Sequence, residues 1–285
     1  FFIGFIGLKG NDDEYTKLFV LLPTLDLFIY DLLYAIEKGP LFAFIGSFFK
    51  TLGFNSQSLL LFFSFTSISI HLIYYRRFTK YYLFALLFYL SHEVIFHEWI
   101  MIRAGLASAM VLPMIYYLNI GNKKLFYTYY LLSCLIHYVS IISILLLWIN
   151  KPIKVKWLFT ALVSAFIIYF SGGFFTIINT LNNANIFPQI INIYLQASDH
   201  TYAVGLMHPK TFQQIISSFL ILFLLSSQNR INSKLVNHLI INTYILSTVL
   251  QIALNDLAIF AFRTAGHFYV VEPIIITYII LFFRA

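Results

Sequence analysis

The stretch LFYTYYLLSCLIHYVSIISILLLWI, residues 125–149, contains no charged side chain, and its conformation decides the topology of this chain. A helix needs about 20 apolar residues to cross a bilayer. The stretch therefore fits one membrane-spanning helix, or two short half-helices if the backbone turns near the polar side chain of His137. The charges of the segments around it distinguish these two possibilities.

The composition of the chain indicates an integral membrane protein. Hydrophobic residues make up 60% of the 285 residues and charged residues only 10%, and the mean hydropathy is +0.84. No soluble core could bury this much apolar surface. Apolar runs recur from Leu59 to the C-terminus, whereas a transmembrane barrel would show short alternating segments. We predict an all-α, polytopic transmembrane helical bundle with short broken or re-entrant helices.

Lysine and arginine are segregated from the carboxylates along the chain. The breaks at 74–80, 121–124, 150–156, 227–234 and the final FFRA carry cations and no carboxylate, so the positive-inside rule makes them cytoplasmic. All eleven carboxylates then lie on or toward the outer face, which predicts a polar cavity opening outward. The net charge of +7 reflects anchoring to anionic lipid headgroups and requires no nucleic-acid partner.

The same charges predict how residues 125–149 fold. A single span would place the basic segment NKPIKVK (150–156) outside, whereas a turn near His137 returns it to the cytoplasm. We therefore predict two half-helices here. The other spans are predicted at 57–75, 81–100, 104–120, 157–178, 211–226, 235–254 and 268–283. With a truncated first span, suggested by the opening FFIGFIG, this gives roughly ten crossings in one membrane domain (1–285), with external loops at about 8–56 and 181–210.

The motif HEVIFHE resembles a zinc-protease signature, but its histidines, His92 and His97, are five residues apart. That spacing separates them by about 140° on a helix, which argues against a shared zinc ion. Glu93 and His97 are four apart and can touch, as a structural pair or as a substrate contact. The single Cys134 excludes an internal disulfide and a thiolate metal cluster.

Arg103 opens the segment RAGLASAM at the mouth of a span, where an arginine is costly to desolvate unless it meets an anion. The alternative is a structural anchor that extends to the interface. The small residues that follow allow helices or a lipid chain to approach closely. Together they indicate a charged site beside a close-packed helical wall.

Three further sets of polar residues are candidates. Arg263 and His267 are four apart before the last predicted span, so one helical face could present two donors to an anion. His137 could line a cavity or be a hydrogen-bonded core histidine. The acidic segment GNDDEY (10–15) could bind a hard divalent cation or form a solvated turn.

The segments GLKGNDDEY, EKGPLFAFIGSFFKTLGFNSQSLLLFFS, IRAGLASAM, YLLSCLIHYVSIISILLL and FRTAGHFYVVEP follow one another along the chain. In this order they resemble the motifs of the EpsG-type members of the Wzy polysaccharide polymerases. Glu37 matches the glutamate of the family's glutamate-glycine motif. Lys9 stands where an early arginine is expected, and His267 is not part of the family pattern.

The resemblance implies a glycosyltransferase of the bacterial inner membrane that joins undecaprenyl-diphosphate-linked oligosaccharide repeats on the outer face. The growing glycan is the donor, a new repeat unit is the acceptor, and undecaprenyl diphosphate leaves. No cofactor or metal ion is implied, since arginines can stabilise a diphosphate leaving group. A chain-length regulator is a conceivable protein partner.

The candidate residues take roles in this reaction. The expected substrate-binding residues are Arg103, Arg263, Glu37, His97, His267 and Lys9. The general base for the acceptor hydroxyl is sought among His137, Glu98, Asp12 and Asp13. Two rival functions share part of this pattern: a transporter or flippase of lipid-linked oligosaccharide, and a ligase or glycosyltransferase that uses a polyprenyl phosphate.

Overall fold

The computed structural model describes residues 12–30, 39–94, 101–172, 205–227 and 237–284, with the isolated residues Thr176 and Thr180. Side chains at 12–14, 227, 258–259 and 283–284 are not part of this description. Every regular element in these ranges is a helix, which confirms the all-α prediction. The chain divides into two compact units, Phe1–Leu147 and Trp148–Ala285.

The first unit contains seven described α-helices and one 3-10 helix. In chain order they are α1 (Asp12–Leu21), α2 (Pro40–Thr51), α3 (Ser56–Phe78), α4 (Tyr82–His92), α5 (Ile102–Ala109), α6 (Val111–Asn119), α7 (Lys123–Ile136) and the 3-10 helix Tyr138–Leu147.

The second unit contains five described α-helices and a short 3-10 turn. They are α8 (Val155–Phe170), α9 (Pro209–Ser227), α10 (His238–Ala253), α11 (Ala258–Gly266), the 3-10 turn Tyr269–Val271 and α12 (Glu272–Arg284).

Among the described residues, α3 is the one single helix that is both long and apolar enough to cross a bilayer. Its N-terminus is capped by Asn55, whose side chain accepts a hydrogen bond from the Ser58 N–H at 3.0 Å. It ends in Arg76 and Arg77, which suit the negative end of the helix dipole. In length and composition this helix fits the span predicted at 57–75.

A second crossing is possible in the last unit as a bent pair. The helical segments Phe260–Gly266 and Tyr269–Phe282 together meet the same length and composition condition, with a bend of 46° between them. Four shorter apolar helices lie at Tyr82–His92, Tyr138–Leu147, Val155–Phe170 and His238–Ala253. The roughly ten crossings and the outward cavity therefore stay predictions.

The break predicted at His137 is confirmed. Helix α7 ends at Ile136, His137 has an extended backbone (φ −152°, ψ 126°), and a 3-10 helix begins at Tyr138. The Tyr130 hydroxyl donates to the Ile141 carbonyl at 3.3 Å, so the chain after the break turns back beside α7.

The span predicted at 104–120 was wrong in one respect, because it is two helices that meet at Met110. Pro113 explains the break: it has no N–H to donate to the Ala109 carbonyl four residues earlier, and its ring crowds that carbonyl. Backbone bonds from Met110 to Leu106 and from Met114 to Met110, at 3.3 and 3.2 Å, keep the two helices in one path.

Helix α2 packs against α3 through aromatic side chains. Phe42 and Phe49, two turns apart on α2, contact the adjacent residues Phe63 and Phe62 of α3, each with ring centroids 5.4 Å apart. The N-terminus of α2 meets the C-terminus of α7, since a Cβ on Gly39 would lie 2.5 Å from the Ile136 carbonyl oxygen.

We expect Gly39→Ala to lower the free energy of unfolding by roughly 3 kcal/mol, because it adds this clash to a backbone at φ 97° that other residues rarely adopt. Gly53→Ala is the matched control, since Gly53 also has a positive φ (78°) but nothing within 4 Å of its would-be Cβ. Thermal unfolding of the detergent-purified variants measures the difference. Equal losses at the two sites would contradict the close contact between α2 and α7.

A polar seam joins α9 and α10 in the second unit. Gln214 donates to the Ser247 hydroxyl at 3.1 Å, Ser218 and Thr248 share a hydrogen bond at 2.7 Å, and Gln251 donates to Thr211 at 3.2 Å. All six side chains are buried. Their three- and four-residue spacing places them on facing sides of the two helices, as in helix pairs held by hydrogen bonds in membranes.

The seam ends at a buried carboxylate. Glu272, at the start of α12, is 1% exposed, and its Oε1 accepts a hydrogen bond from the Tyr244 hydroxyl at 2.8 Å. The Ser247 hydroxyl donates to the Ala265 carbonyl at 2.9 Å. These two bonds tie α10 to both halves of the bent pair.

Tyr244→Phe is expected to lower the free energy of unfolding by about 1–2 kcal/mol, because the buried Glu272 carboxylate loses a donor while the packing volume is kept. Tyr127→Phe removes the same hydroxyl from a side chain that is 48% exposed and should be neutral. Denaturation of both variants in detergent tests this, and no difference between them would show that the bond is not stabilising.

Candidate functional site

The hairpin of α5–α6 and α7 brings Arg103 and His137 to the same end of the first unit. The Ser133 hydroxyl of α7 donates to the Ala107 carbonyl of α5 at 2.8 Å, and both residues are buried. Arg103 lies four residues before Ala107, and His137 lies four residues after Ser133. Because the helices are antiparallel, both side chains lie about one turn beyond this hydrogen bond, on neighbouring helices.

Arg103 rests on an aromatic ring. The centre of its guanidinium lies 5.1 Å from the centroid of the Phe42 ring, and Phe42 is 1% exposed. Phe63 and Tyr15 pack edge-on against Phe42, with centroids 5.4 and 6.4 Å away. This contact is a cation–π interaction, which holds the guanidinium over a buried ring.

His137 has one ring nitrogen engaged by its own backbone. Its Nδ1 lies 3.4 Å from the Val139 N–H, which donates to it. In a neutral imidazole, which carries one proton, this bond favours the tautomer with the proton on Nε2. The side chain is half-buried.

The small residues after Arg103 form the wall that the sequence predicted. Gly105, Ala107 and Ala109 are buried, and the Ser108 hydroxyl bonds back to the Gly105 carbonyl at 2.8 Å. Because these side chains are small, α5 lies close enough to α7 for the bond between Ser133 and Ala107.

Helices α1 and α2 also begin at this end. Asp12 and Asp13 begin α1, whose Tyr15 contacts Phe42, although their side chains are outside the description. Glu37 precedes Gly39 by two residues and, like Lys9, His97 and Glu98, lies outside the described residues.

The predicted residues of the second unit differ from each other in exposure. Arg263, on α11, is exposed, whereas His267, the residue after α11, is 4% exposed and packs edge-on against Phe268. Nearby, burial raises the pKa of the Asp256 carboxyl in the turn before α11. Arg263 and Arg103 belong to different units.

Nothing in the sequence patterns singled out Phe42, Ser133, Gly39 or the pair of Tyr244 and Glu272. The one local signal is the glycine-proline pair at 39–40, which is typical of a helix start. Glu272 was predicted to lie toward the outer face with the other carboxylates, and the structure buries its side chain beside Tyr244. Within the described ranges, no group of three His, Cys, Asp or Glu residues could hold a metal ion.

Comparison with known protein families identifies the family of the chain. The family model described as the EpsG family matches residues 1–285. No curated protein and no solved structure matches the chain.

Proposed function

We propose, from the premise that the chain belongs to the EpsG family, that it joins undecaprenyl-diphosphate-linked oligosaccharide repeats on the outer face of the bacterial inner membrane. Membership supports a membrane protein of polysaccharide biosynthesis with a polymerase-type, glycosyltransferase-like activity. The lipid carrier, the repeat-unit substrate and the orientation are the parts that we add.

The observation that carries this proposal is the position of Arg103 beside the end of α7. In the reaction the acceptor hydroxyl attacks the anomeric carbon of the donor. The bond from that carbon to the diphosphate oxygen breaks, and its electron pair passes to the diphosphate. A guanidinium held in place before the reaction stabilises the developing charge without reorganising, which is where such groups contribute most to the rate.

His137 acts in this scheme as a second donor to the diphosphate. Its Nδ1 already accepts the Val139 N–H, so it could take the acceptor proton there only by breaking that bond. If His137 is a donor, the base is a carboxylate, with Asp12, Asp13, Glu37 and Glu98 as candidates. The alternative is that His137 is itself the base. Arg263, Lys9, His97 and His267 stay in the proposal as substrate contacts.

The charges of the first unit support an outward-facing reaction. Arg103 begins α5, and the basic residues Lys123 and Lys124 follow the far end of α6. Asn119 lies sixteen residues after Arg103, a distance of about 24 Å along the path of α5 and α6. Arg103 and the two lysines therefore lie at opposite ends of this helix pair. The basic end is expected to face the cytoplasm, which leaves the Arg103 end near the outer surface.

Reconstitution with purified lipid-linked repeat units tests the function. Proteoliposomes that contain the chain should extend the units into a ladder of longer glycans and release undecaprenyl diphosphate, with or without a chelator. Empty vesicles and the Arg103→Gln variant are the controls. Translocation of the lipid-linked units without new glycosidic bonds would overturn the proposal.

One observation favours the transporter alternative. The bent pair in the second unit meets a buried polar seam with the carboxylate of Glu272, and broken helices beside polar groups at membrane depth are common in transporters. The vesicle experiment separates the two functions, because only the polymerase forms new glycosidic bonds.

A further inference from the structure

The end of the first unit that lies opposite Arg103 concentrates positive charge. The last turn of α3 and the turn between α6 and α7 meet here, since Tyr74 of α3 packs edge-on against Tyr116 of α6 with centroids 5.7 Å apart. Asn122 donates its backbone N–H to the Tyr117 carbonyl at 2.8 Å, so Lys123 follows this turn directly. We name as the basic end the exposed cations Arg76, Arg77, Lys80, Lys123 and Lys124.

No carboxylate of the same stretches of chain offsets these charges. The sequence has no Asp or Glu from residue 38 to 92, nor from 99 to 198. Lys123 and Lys124 are also the first two residues of α7, at the positive end of a helix dipole, where acidic residues are the favourable choice. An anion bound at this end would relieve that repulsion.

Arg77 is held in place by two tyrosines. Its guanidinium centre lies 5.0 Å from the Tyr74 ring centroid and 4.6 Å from that of Tyr116. Tyr74 is 5% exposed, and the rings of Tyr117 and Tyr129 stack nearby at 5.5 Å with an angle of 14°. Two ring contacts restrict the position of the guanidinium, so its N–H groups can receive a phosphate with little loss of side-chain entropy.

We propose that the basic end is a binding site for the phosphate of an anionic phospholipid. Arg77 lies in the last turn of α3, the helix that fits a bilayer crossing, so the site lies at headgroup depth. The surrounding tyrosines are the side chains that membrane interfaces favour. A phosphodiester accepts two parallel hydrogen bonds from a guanidinium, with the lysines and Arg76 as further charges. The site is independent of the glycan chemistry proposed above.

The test is native mass spectrometry of the full chain, purified with a mixture of phosphatidylglycerol and phosphatidylcholine. We expect the protein to retain phosphatidylglycerol about tenfold more than phosphatidylcholine. The triple variant Arg76→Gln, Arg77→Gln, Lys123→Gln should lose most of that preference. Lys151→Gln, Lys154→Gln, Lys156→Gln removes the same charge from exposed positions elsewhere and should retain it.

Two milder variants keep the test decisive if the triple variant unfolds. Arg77→Lys keeps the charge and removes the fork, and Tyr116→Leu removes one supporting ring; each should reduce the preference several-fold. Equal losses in the two triple variants, no preference in the unaltered protein, or displacement of the lipid by millimolar inorganic phosphate would overturn the proposal. The last outcome would identify a site for free phosphate instead.

Discussion

Replacing Arg103 by glutamine is expected to lower the rate of glycan polymerisation by about 10²–10³-fold, the effect of removing one charge-stabilising donor from an active site. The guanidinium lies on the buried Phe42 ring at the end of the unit where α7 also ends. Glutamine keeps a polar side chain but loses the charge and the fork. Initial rates of ladder formation in proteoliposomes give the comparison.

Three further variants locate the cause of the loss. Arg103→Lys keeps the charge without the bidentate geometry and should lose about 10–100-fold. Phe42→Leu leaves the arginine in place and removes the ring beneath it, so a smaller loss is expected. Lys17→Gln removes an exposed cation from α1 and should not change the rate. If the glutamine variant unfolds normally and keeps more than a third of the rate, Arg103 does not bind the leaving group.

Substitutions of His137 should separate a hydrogen-bond donor from a general base. The amide nitrogen of glutamine can take the place of the imidazole Nε2, whereas asparagine is too short to reach it. We therefore expect His137→Gln to keep the rate within about tenfold and His137→Asn to lose about 10²-fold, a typical loss when a positioned catalytic group is removed. Both variants keep a polar residue at the break after α7.

The pH dependence of the polymerisation rate also separates the two roles, because a purely structural role of His137 would leave it unchanged. An imidazole base would produce an acidic limb at roughly pH 6.5, and that limb would vanish in the glutamine variant. A carboxylate base gives a limb at lower pH that persists in His137→Gln. Equal inactivation of both variants with loss of the limb would identify His137 as the base.

The helical character of the chain and the break at His137 could be predicted because both depend on local information. An uncharged run of 25 residues followed by a basic segment has few possible topologies if the cations stay on one side of a membrane. The small residues after Arg103 likewise predicted close packing on that helix. The break at Met110 was also within reach, because Pro113 lies three residues beyond it.

The support of the candidate site could not be predicted in this way. Phe42 lies sixty-one residues before Arg103, and nothing in its neighbourhood indicates that it carries a guanidinium on its face. The burial of His267 beside an exposed Arg263 also depends on which face of α11 is covered by other helices. The spacing of two residues along a helix gives the angle between their side chains, but it does not show which residues of other helices contact them.

The sequence by itself determined that the chain is helical and that its path breaks at His137, and its composition indicates a membrane protein. These properties follow from hydrophobicity, charge and backbone preferences that act over a few residues. The tertiary structure decided that Arg103 lies on Phe42 at the end of the unit where α7 stops before His137, and that Glu272 is buried against Tyr244. Such contacts depend on helix packing between residues far apart in the chain, and many partners of similar character compete for each position.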